Sequence, residues 1–149
     1  MKVKDLLEDC ASHFHAIEQD QAVEQALKQM SGYNLSALVV MAGEVSAGIF
    51  TERDLLRCHI IFPDKDIKDI SVKDVMTSKL IIAKPEDTIE DAMGMMIQAK
   101  IRHLPVVSDG QIKGMLGLED LVKKHVGVLT QELHYLKDYI SDLQDAAHD

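Results

Sequence analysis

A hydroxyl and a carboxylate stand three residues apart where a predicted strand turns into a predicted helix. Thr51 ends the apolar segment that starts at Gly48, and Asp54 follows it at the spacing of a helix capping box. An ionised carboxylate accepts two hydrogen bonds from a vicinal diol, and the N-terminal amides of a helix favour an anion. The pair therefore predicts a structural cap or a ligand site, and one turn can serve both purposes.

A second polar pair, Arg102 and His103, precedes an apolar segment that begins at Leu104. Strict alternation along a strand places one of the two side chains toward the core and the other toward a cleft. Arg102 carries a permanent planar charge, and His103 is a donor that gains charge beside a phosphate. The alternative interpretation is a solvated arginine and a packed histidine.

Metal-binding and catalytic patterns are weak. His13 and His15 form a His-x-His pair, but no third ligand accompanies them at a fixed spacing. The two cysteines, Cys10 and Cys58, form no CxxC pair and are expected to be reduced packing residues. No Ser/His/Asp arrangement and no phosphate-cradling glycine loop is present in the sequence. We expect no metal site and no enzyme activity.

The composition restricts the partners. The chain has 16 basic and 25 acidic residues, a formal net charge of -9 and no tryptophan, whereas a nucleic-acid binder shows a basic stripe with interleaved aromatic residues. A small anionic ligand is still possible where a few cations converge. The sequence has neither a signal-peptide pattern nor an apolar span of about 20 residues. We therefore expect a cytoplasmic protein that binds neither nucleic acid nor membrane.

The chain contains one unit twice. Gly114 lies 66 residues after Gly48, and the segments that start at these glycines align without a gap as GMLGLEDL and GIFTERDL. The same shift aligns IEDAM with VEQAL and LPV with LVV. Each copy reads as a short helix, a strand, an amphipathic helix, two strands joined by a tight turn, and a closing helix. We predict an α+β fold of two β-α-β-β-α repeats with pseudo-two-fold symmetry and a C-terminal amphipathic helix.

The second copy allows its elements to be placed. Residues 80–83 predict a buried strand that ends before Pro85. Thr88 is a good N-cap, and Asp91 follows three residues later at the start of a helix that is expected to stop near residues 99–100. An Asp-Gly dipeptide at positions 109 and 110 predicts the turn of a hairpin.

The repeat defines four ranges. We assign residues 2–62 to the first repeat, 63–71 to a short polar linker, 72–126 to the second repeat and 127–149 to a C-terminal helix. A lone copy of this size buries only about 60% of its unfolded surface, so the copies are expected to share one compact module. The opening tripeptide Val-Lys-Asp also recurs, but 69 residues apart.

An apolar stripe extends to the end of the chain with alternating spacings of four and three residues. The stripe either packs on its own domain or joins a second subunit, and the second alternative predicts a homodimer. A membrane-surface role is not expected because the opposite face is not basic. The stripe comprises Val122, Val126, Leu129, Leu133, Leu136, Ile140 and Leu143.

In these segments the sequence resembles a tandem pair of CBS domains, the Bateman module, of the small stand-alone bacterial type that ends in an added helix. The resemblance covers about residues 2–126. It rests on GIFTERD at 48–54, IRHLPVV at 101–107 and VKDVMT at 72–77. It implies that the protein senses an adenine nucleotide such as AMP, ADP or ATP and has no catalytic function.

The resemblance also implies a role for each polar pair. The Thr and Asp of one repeat hold the ribose of the nucleotide, and the basic residues of the other repeat reach its phosphates. The backbone and apolar side chains of the first strand contact the base. The implied nucleotide-binding residues are Thr51, Asp54, Arg102, His103, His15, Ala16 and Ile17.

The repeat predicts that the pseudo-symmetric cleft is weaker. It keeps a carboxylate at Asp120, but Gly117, Ser36 and Ala37 stand where the first cleft has the hydroxyl and both basic residues. If each lost charge-assisted bond costs about 1.5 to 3 kcal/mol, this cleft binds about ten- to a thousandfold more weakly or takes an uncharged adenosine. Its expected residues are Asp120, Ile81 and Ile82, with Arg53 reaching across to restore one charge.

Two functions follow from these observations. The first is a non-enzymatic adenine-nucleotide sensor whose ligand shifts a conformation or a dimer that an unidentified effector protein reads. The second is a ligand-independent module that dimerises or binds proteins through its repeat faces and C-terminal helix. The two differ in whether a nucleotide changes the protein.

Overall fold

The structure is a computed structural model, which describes residues 1–9, 14–127, 133, 134 and 136. The first repeat contains the opening helix and two further helices around three strands, and the second contains two helices and two strands. A helix over residues 118–127, α5, ends the continuous part of the description. In chain order the other elements are α1 (Val3–Asp9), β1 (Ala16–Glu18), α2 (Val23–Tyr33), β2 (Ala37–Ala42), β3 (Val45–Thr51), α3 (Glu52–Ile61), α4 (Ile89–Ala99), β4 (His103–Ser108) and β5 (Gln111–Gly117).

The two repeats form two sheets that share the same hairpin. In the first sheet β1 pairs parallel to β2, which pairs antiparallel to β3. In the second sheet β4 pairs antiparallel to β5. Each hairpin has a register shift at the same place, after Val40 in one copy and after Val106 in the other, 66 residues later. The predicted α+β fold of two repeats is confirmed.

Local signals place the ends of the helices and the hairpin turn. The Thr88 side chain accepts a hydrogen bond from the Asp91 amide over 3.0 Å and starts α4 as predicted. Asn34 and Lys100 end α2 and α4 in the left-handed conformation, with φ of 55° and 58°. The predicted Asp-Gly turn is confirmed by the pairing of β4 with β5.

The predicted strand at residues 80–83 is wrong in its extent. Only Ala83 pairs, as an isolated bridge to Val106, and the Ile81 side chain is 45% exposed. In the first copy the outer bonds of the β1–β2 ladder are donated by the amides of Val39 and Gln19. The residues 66 positions later are Pro105 and Pro85, which have no amide hydrogen to donate. The second copy therefore keeps only the middle of the ladder.

The opening segment of each repeat packs into the core of the other repeat. Val3 and Leu6 of α1 belong to the core cluster that contains α4, β4 and Leu121 of α5. Val72 and Val75, around the short 3-10 helix Val72–Asp74, belong to the cluster that contains α2, β2 and β3. Equivalent backbone hydrogen bonds hold the two segments. The Val3 amide donates to the carbonyl of residue 87, and the Val72 amide donates to the carbonyl of residue 21, which is the equivalent position in the first repeat. The two repeats are thus interlocked through their first residues.

The C-terminal stripe is largely exposed where the structure describes it. Leu121 of α5 is fully buried, but the side chains of the four described stripe residues are between 39% and 56% exposed. The other three predicted members, Leu129, Ile140 and Leu143, lie outside the described residues. Within the described part of the chain, no helix is both long enough and apolar enough to cross a membrane. The exposed members are Val122, Val126, Leu133 and Leu136.

Candidate functional site

The turn from β3 into α3 holds Asp54 in a closed environment. Asp54 is 1% exposed and is the single buried charged residue among the described ones. Its Oδ2 accepts a hydrogen bond from the Thr51 amide over 2.9 Å and lies 3.4 Å from the Thr51 hydroxyl. The carboxylate thus reaches back to the start of its own helix, as a capping box requires.

The other oxygen of Asp54 contacts two residues that the sequence patterns do not assign. The Thr77 hydroxyl donates to Oδ1 over 2.9 Å, and Arg57 Nη1 donates to the same oxygen over 3.2 Å. Thr77 follows the opening segment of the second repeat, whereas Arg57 lies one turn further along α3. Asp54 is therefore a junction between the repeats as well as a helix cap.

Thr77 is held beside Asp54 by its backbone. Its amide and carbonyl exchange hydrogen bonds with the carbonyl and amide of Ile49 in β3, each over 2.9 Å. Gly48 permits this approach, because a Cβ at that position would collide with the Thr77 carbonyl. The close contact explains a glycine at the start of the repeated segment.

His103 lies at the contact between the repeats. Its Nε2 is 2.6 Å from the Ser36 hydroxyl of the first repeat. Burial lowers the pKa of His103 below its usual value, and the charge of Arg102 lowers it further, while Glu52 acts in the opposite direction. Arg102 itself is exposed. Neither member of the predicted pair faces a core, so the arrangement differs from simple alternation.

Ser36 connects the two polar pairs. Its hydroxyl meets His103, and its carbonyl accepts a bond from the Glu52 amide, next to Thr51, over 3.4 Å. Arg53 crosses the same junction and donates to the Lys100 carbonyl over 2.9 Å. This bond places Arg53 at the residue after Ala99, which lines the cavity at Ile81, and two residues before Arg102.

The predicted base-contacting segment, residues 15–17, borders a cavity that the other predicted site residues do not line. His15 and Ala16 border a cavity of about 560 Å³ with residues of α2. The His15 ring stacks on Tyr33 at 4.4 Å, and the Gln29 side chain donates to the Ala16 carbonyl over 2.9 Å. Ile17 is buried in the first core. Neither the Thr51–Asp54 turn nor the Arg102–His103 pair lines this cavity.

The second candidate cleft has an open carboxylate. Asp120 is exposed and has no hydrogen bond or ion pair to any described residue. Its Oδ2 would lie 3.3 Å from a Cβ added to Gly117. Ile81 borders a smaller cavity of about 210 Å³ beside α4, and Ile82 is half-buried. Positions 15 and 81, which each line one cavity, are equivalent in the repeats.

Sequence reasoning missed Thr77, Arg57 and Ser36 at this junction. Thr77 ends one of the segments that carry the family resemblance, and Arg57 is three residues after Asp54 on one helix face. Ser36 aligns with Arg102 under the 66-residue shift. Each had a signal, but the contact of Thr77 with Asp54 requires the docking of Thr77 onto β3. Among the described residues, which exclude His13, no group of three His, Cys, Asp or Glu could hold a metal ion.

Comparison with known proteins decides the family. The family model for the CBS domain matches twice, over residues 3–60 and 72–131. The chain belongs to the CBS-domain family. It is a tandem CBS pair. The resemblance to a tandem pair of CBS domains is confirmed.

The chain is similar to several proteins that contain CBS domains. The mitochondrial CBS domain-containing protein CBSX3 of Arabidopsis thaliana is 41% identical over 126 residues. The match covers 81% of this chain and 61% of that protein. Among solved structures, the CBS domain NE2398 has a TM-score of 0.79 and 37% identity, and the match covers 85% of this chain and 98% of that one.

Two more distant structures share the fold and contain ligands. CBSX2 was solved in complex with AMP and has a TM-score of 0.68 at 22% identity, with 85% of this chain and 97% of that one covered. The CBS pair of MJ0100 was solved with 5-methylthioadenosine and S-adenosyl-L-methionine and has a TM-score of 0.72 at 21% identity, with the same coverage. At these identities the likeness concerns the fold.

Proposed function

We propose that this CBS pair is a non-enzymatic sensor of an adenine nucleotide of the AMP, ADP or ATP type. The observation that carries the proposal is the junction at Ser36, which contacts the amide after Thr51 in one repeat and His103 in the other. A carboxylate, a hydroxyl and an exposed arginine near one junction offer acceptors to a ribose and donors to a phosphate. The ligands of CBSX2 and MJ0100 share an adenosine moiety.

The roles that we propose follow the chemistry of each group. Thr51 and Asp54 bind the ribose, Arg102 and His103 bind the phosphates, and the segment at His15, Ala16 and Ile17 contacts the base. Arg102 is the strongest candidate for the phosphate because its guanidinium is exposed and permanently charged. A phosphate beside His103 would favour its charged form and oppose the effect of burial.

The pseudo-symmetric cleft is proposed as a weaker site around Asp120, Ile81 and Ile82. It has one accessible carboxylate and lacks an arginine at the position of Arg102. A ligand that carries no phosphate fits this cleft better than AMP does, since a phosphate would meet at most Arg53 there. We propose that Arg53 reaches across to this cleft, because its bond to the Lys100 carbonyl places it next to Ala99, which lines the cavity at Ile81.

Isothermal titration with AMP, ADP, ATP and adenosine tests the proposal. Arg102→Gln should weaken AMP binding about tenfold or more and leave adenosine binding nearly unchanged, because a lost charge-assisted bond costs about 1.5 to 3 kcal/mol. Asp54→Asn should weaken both ligands, and Asp120→Asn, at the equivalent position, is the control for AMP binding. Absence of binding by the wild type, or equal affinity in Asp54→Asn, would refute the assigned site.

The sensor needs a state that another molecule can read. We propose that the ligand shifts the relation of the interlocked repeats or the assembly of a homodimer, and that an effector protein in the cytoplasm reads the change. A ligand shifts such an equilibrium only through unequal affinity for the two states, and about 1.4 kcal/mol of difference gives a tenfold shift. Small-angle scattering with and without AMP measures this change directly.

An exposed apolar surface supports a second candidate function, ligand-independent dimerisation. Leu56 and Ile60 of α3 are 66% and 79% exposed. Val122 and Val126 of α5 stand at the equivalent positions 66 residues later and are 39% and 50% exposed. One turn of apolar surface on each of two equivalent helices is suited to an isologous contact between two copies.

Sedimentation velocity over a concentration series separates the two functions. Ile60→Glu should convert a dimer to a monomer, whereas Val45→Glu, at another exposed apolar residue, should leave the dimer intact. Dimerisation that is unchanged by AMP, together with no AMP-induced shift in melting temperature, favours the second function. Dimerisation or melting that responds to AMP favours the sensor.

A further inference from the structure

Every acceptor position of the Asp54 carboxylate is already engaged within the protein. Oδ1 receives Thr77 and Arg57, and Oδ2 faces the amide and hydroxyl of Thr51. An ionised carboxylate has about four acceptor sites. A ribose that uses Asp54 must therefore replace at least one of these partners.

We infer that Thr77 is an internal competitor of the ligand and sets the affinity of the proposed first site. This inference rests on the proposed function, because it concerns the carboxylate assigned to the ribose. The Thr77 hydroxyl donates to Oδ1 over 2.9 Å, and a ligand hydroxyl takes its place. Thr77 is thus a positioning residue that acts through Asp54.

Thr77 is the most readily replaced of the three partners. The Thr51 amide is part of the backbone that begins α3, so its departure would disrupt the helix start. Arg57 carries a charge and would leave Asp54 without its cation. The Thr77 hydroxyl is neutral, and a rotation about one side-chain bond removes it from Oδ1 while the backbone bonds to Ile49 persist.

The same backbone bonds make the competition effective. Two hydrogen bonds to Ile49 and the space left by Gly48 hold Thr77 at hydrogen-bonding distance from the carboxylate. A group held in place competes far better than a free hydroxyl, since it loses little entropy on contact. Among the described residues, which exclude residues 10–13, Asp120 has no such partner.

Removal of the hydroxyl should strengthen ligand binding. In Thr77→Val the unliganded carboxylate loses one donor, and the ligand then supplies a bond without displacing another. We expect AMP to bind about three- to tenfold more tightly to Thr77→Val, while its melting temperature without ligand falls. Thr77→Ser keeps the hydroxyl and should bind AMP with the wild-type affinity.

Titration of AMP into wild type, Thr77→Val, Thr77→Ala and Thr77→Ser is the deciding experiment. Tighter AMP binding by Thr77→Val and Thr77→Ala, together with wild-type affinity in Thr77→Ser, supports the inference. If one of the Val and Ala variants does not fold, the other is sufficient. Weaker binding by both identifies Thr77 as a ligand contact and overturns it, as does an unchanged affinity. If the wild type binds no adenine nucleotide, the proposed function itself fails. If the wild type binds AMP and Thr77→Val binds it with the same affinity, only the inference about Thr77 fails.

Discussion

Asp54 and Asp120 occupy equivalent positions in the first turns of α3 and α5, but only Asp54 is buried. Four donor groups from three residues surround the Asp54 carboxylate, whereas Asp120 is exposed. The difference arises outside the repeated segment, because Thr77 reaches Asp54 from the start of the second repeat. An aspartate at the same position of the repeat thus has a structural role in one copy and is exposed to solvent in the other.

The unequal burial predicts unequal effects on stability. Asp54→Ala leaves the Thr77 hydroxyl, the Thr51 amide and Arg57 without their acceptor, so we expect a loss of about 2 to 4 kcal/mol in the free energy of unfolding. Asp120→Ala removes an exposed carboxylate and should change the same quantity by less than about 0.5 kcal/mol. Urea unfolding of both variants measures the difference. Equal losses in the two would contradict the environment described for Asp54.

The close approach of β3 to the second repeat makes Gly48 sensitive to substitution. Gly48→Ala places a methyl group against the Thr77 carbonyl, which is backbone and cannot swing away. We expect a destabilisation of about 1 to 3 kcal/mol from overpacking. Gly94→Ala, in the interior of α4 with open space around it, is the matched control and should stabilise by up to about 1 kcal/mol. Thermal unfolding that shows the same sign for both variants would argue against this contact.

The missing strand of the second copy predicts that one substitution, Pro105→Val, increases the free energy of unfolding. Pro105→Val supplies the amide that Val39 uses in the first copy, so a bond from residue 105 to the carbonyl of Ile81 becomes possible. We expect about 0.5 to 1.5 kcal/mol of stabilisation and strong protection of the new amide against hydrogen exchange. Rapid exchange of that amide would mean that residues 80–83 stay apart for another reason, such as Pro85.

The same comparison shows what the sequence could predict. The Thr88 cap and the Asp-Gly turn were predicted because their causes lie within four residues of chain. The prediction of a strand at residues 80–83 was wrong because apolar residues indicate only that one segment can be a strand. Pairing also needs amide donors on the neighbouring strand, and Pro105 has none. Pro85 and Pro105 could be read from the sequence, but the sequence did not show that their amide positions would carry the hydrogen bonds of this strand pair.

In the candidate site, too, local spacing predicted some residues, whereas other contacts depend on the whole fold. Thr51 and Asp54 could be found from their own spacing, and the repeat then indicated Asp120. The contact of Asp54 with Thr77 spans 23 residues and depends on a backbone bridge that no local pattern announces. Burial decided the environment of Asp54, and burial is a property of the whole fold.

His103 predicts a loss of stability in acid. Its folded pKa lies below the unfolded value of about 6.5, because burial and Arg102 both disfavour the charged form. The unfolded chain therefore binds a proton more readily than the folded protein as the pH falls below about 6.5. The stability from neutral His103 is present above that pH and is lost as the pH falls toward the folded pKa.

A paired substitution isolates this contribution from the other histidines. His103→Gln keeps a polar side chain opposite Ser36 but does not titrate, so its unfolding free energy should fall less than that of the wild type between about pH 7.5 and 5. His59→Gln, at an exposed histidine outside the contact with Ser36, is the matched control. Urea unfolding at several pH values measures the three curves. Parallel curves for wild type and His103→Gln would show that His103 can be protonated without loss of its contact with Ser36. If the phosphate of AMP lies beside His103, AMP should reduce the difference in unfolding free energy between the two curves.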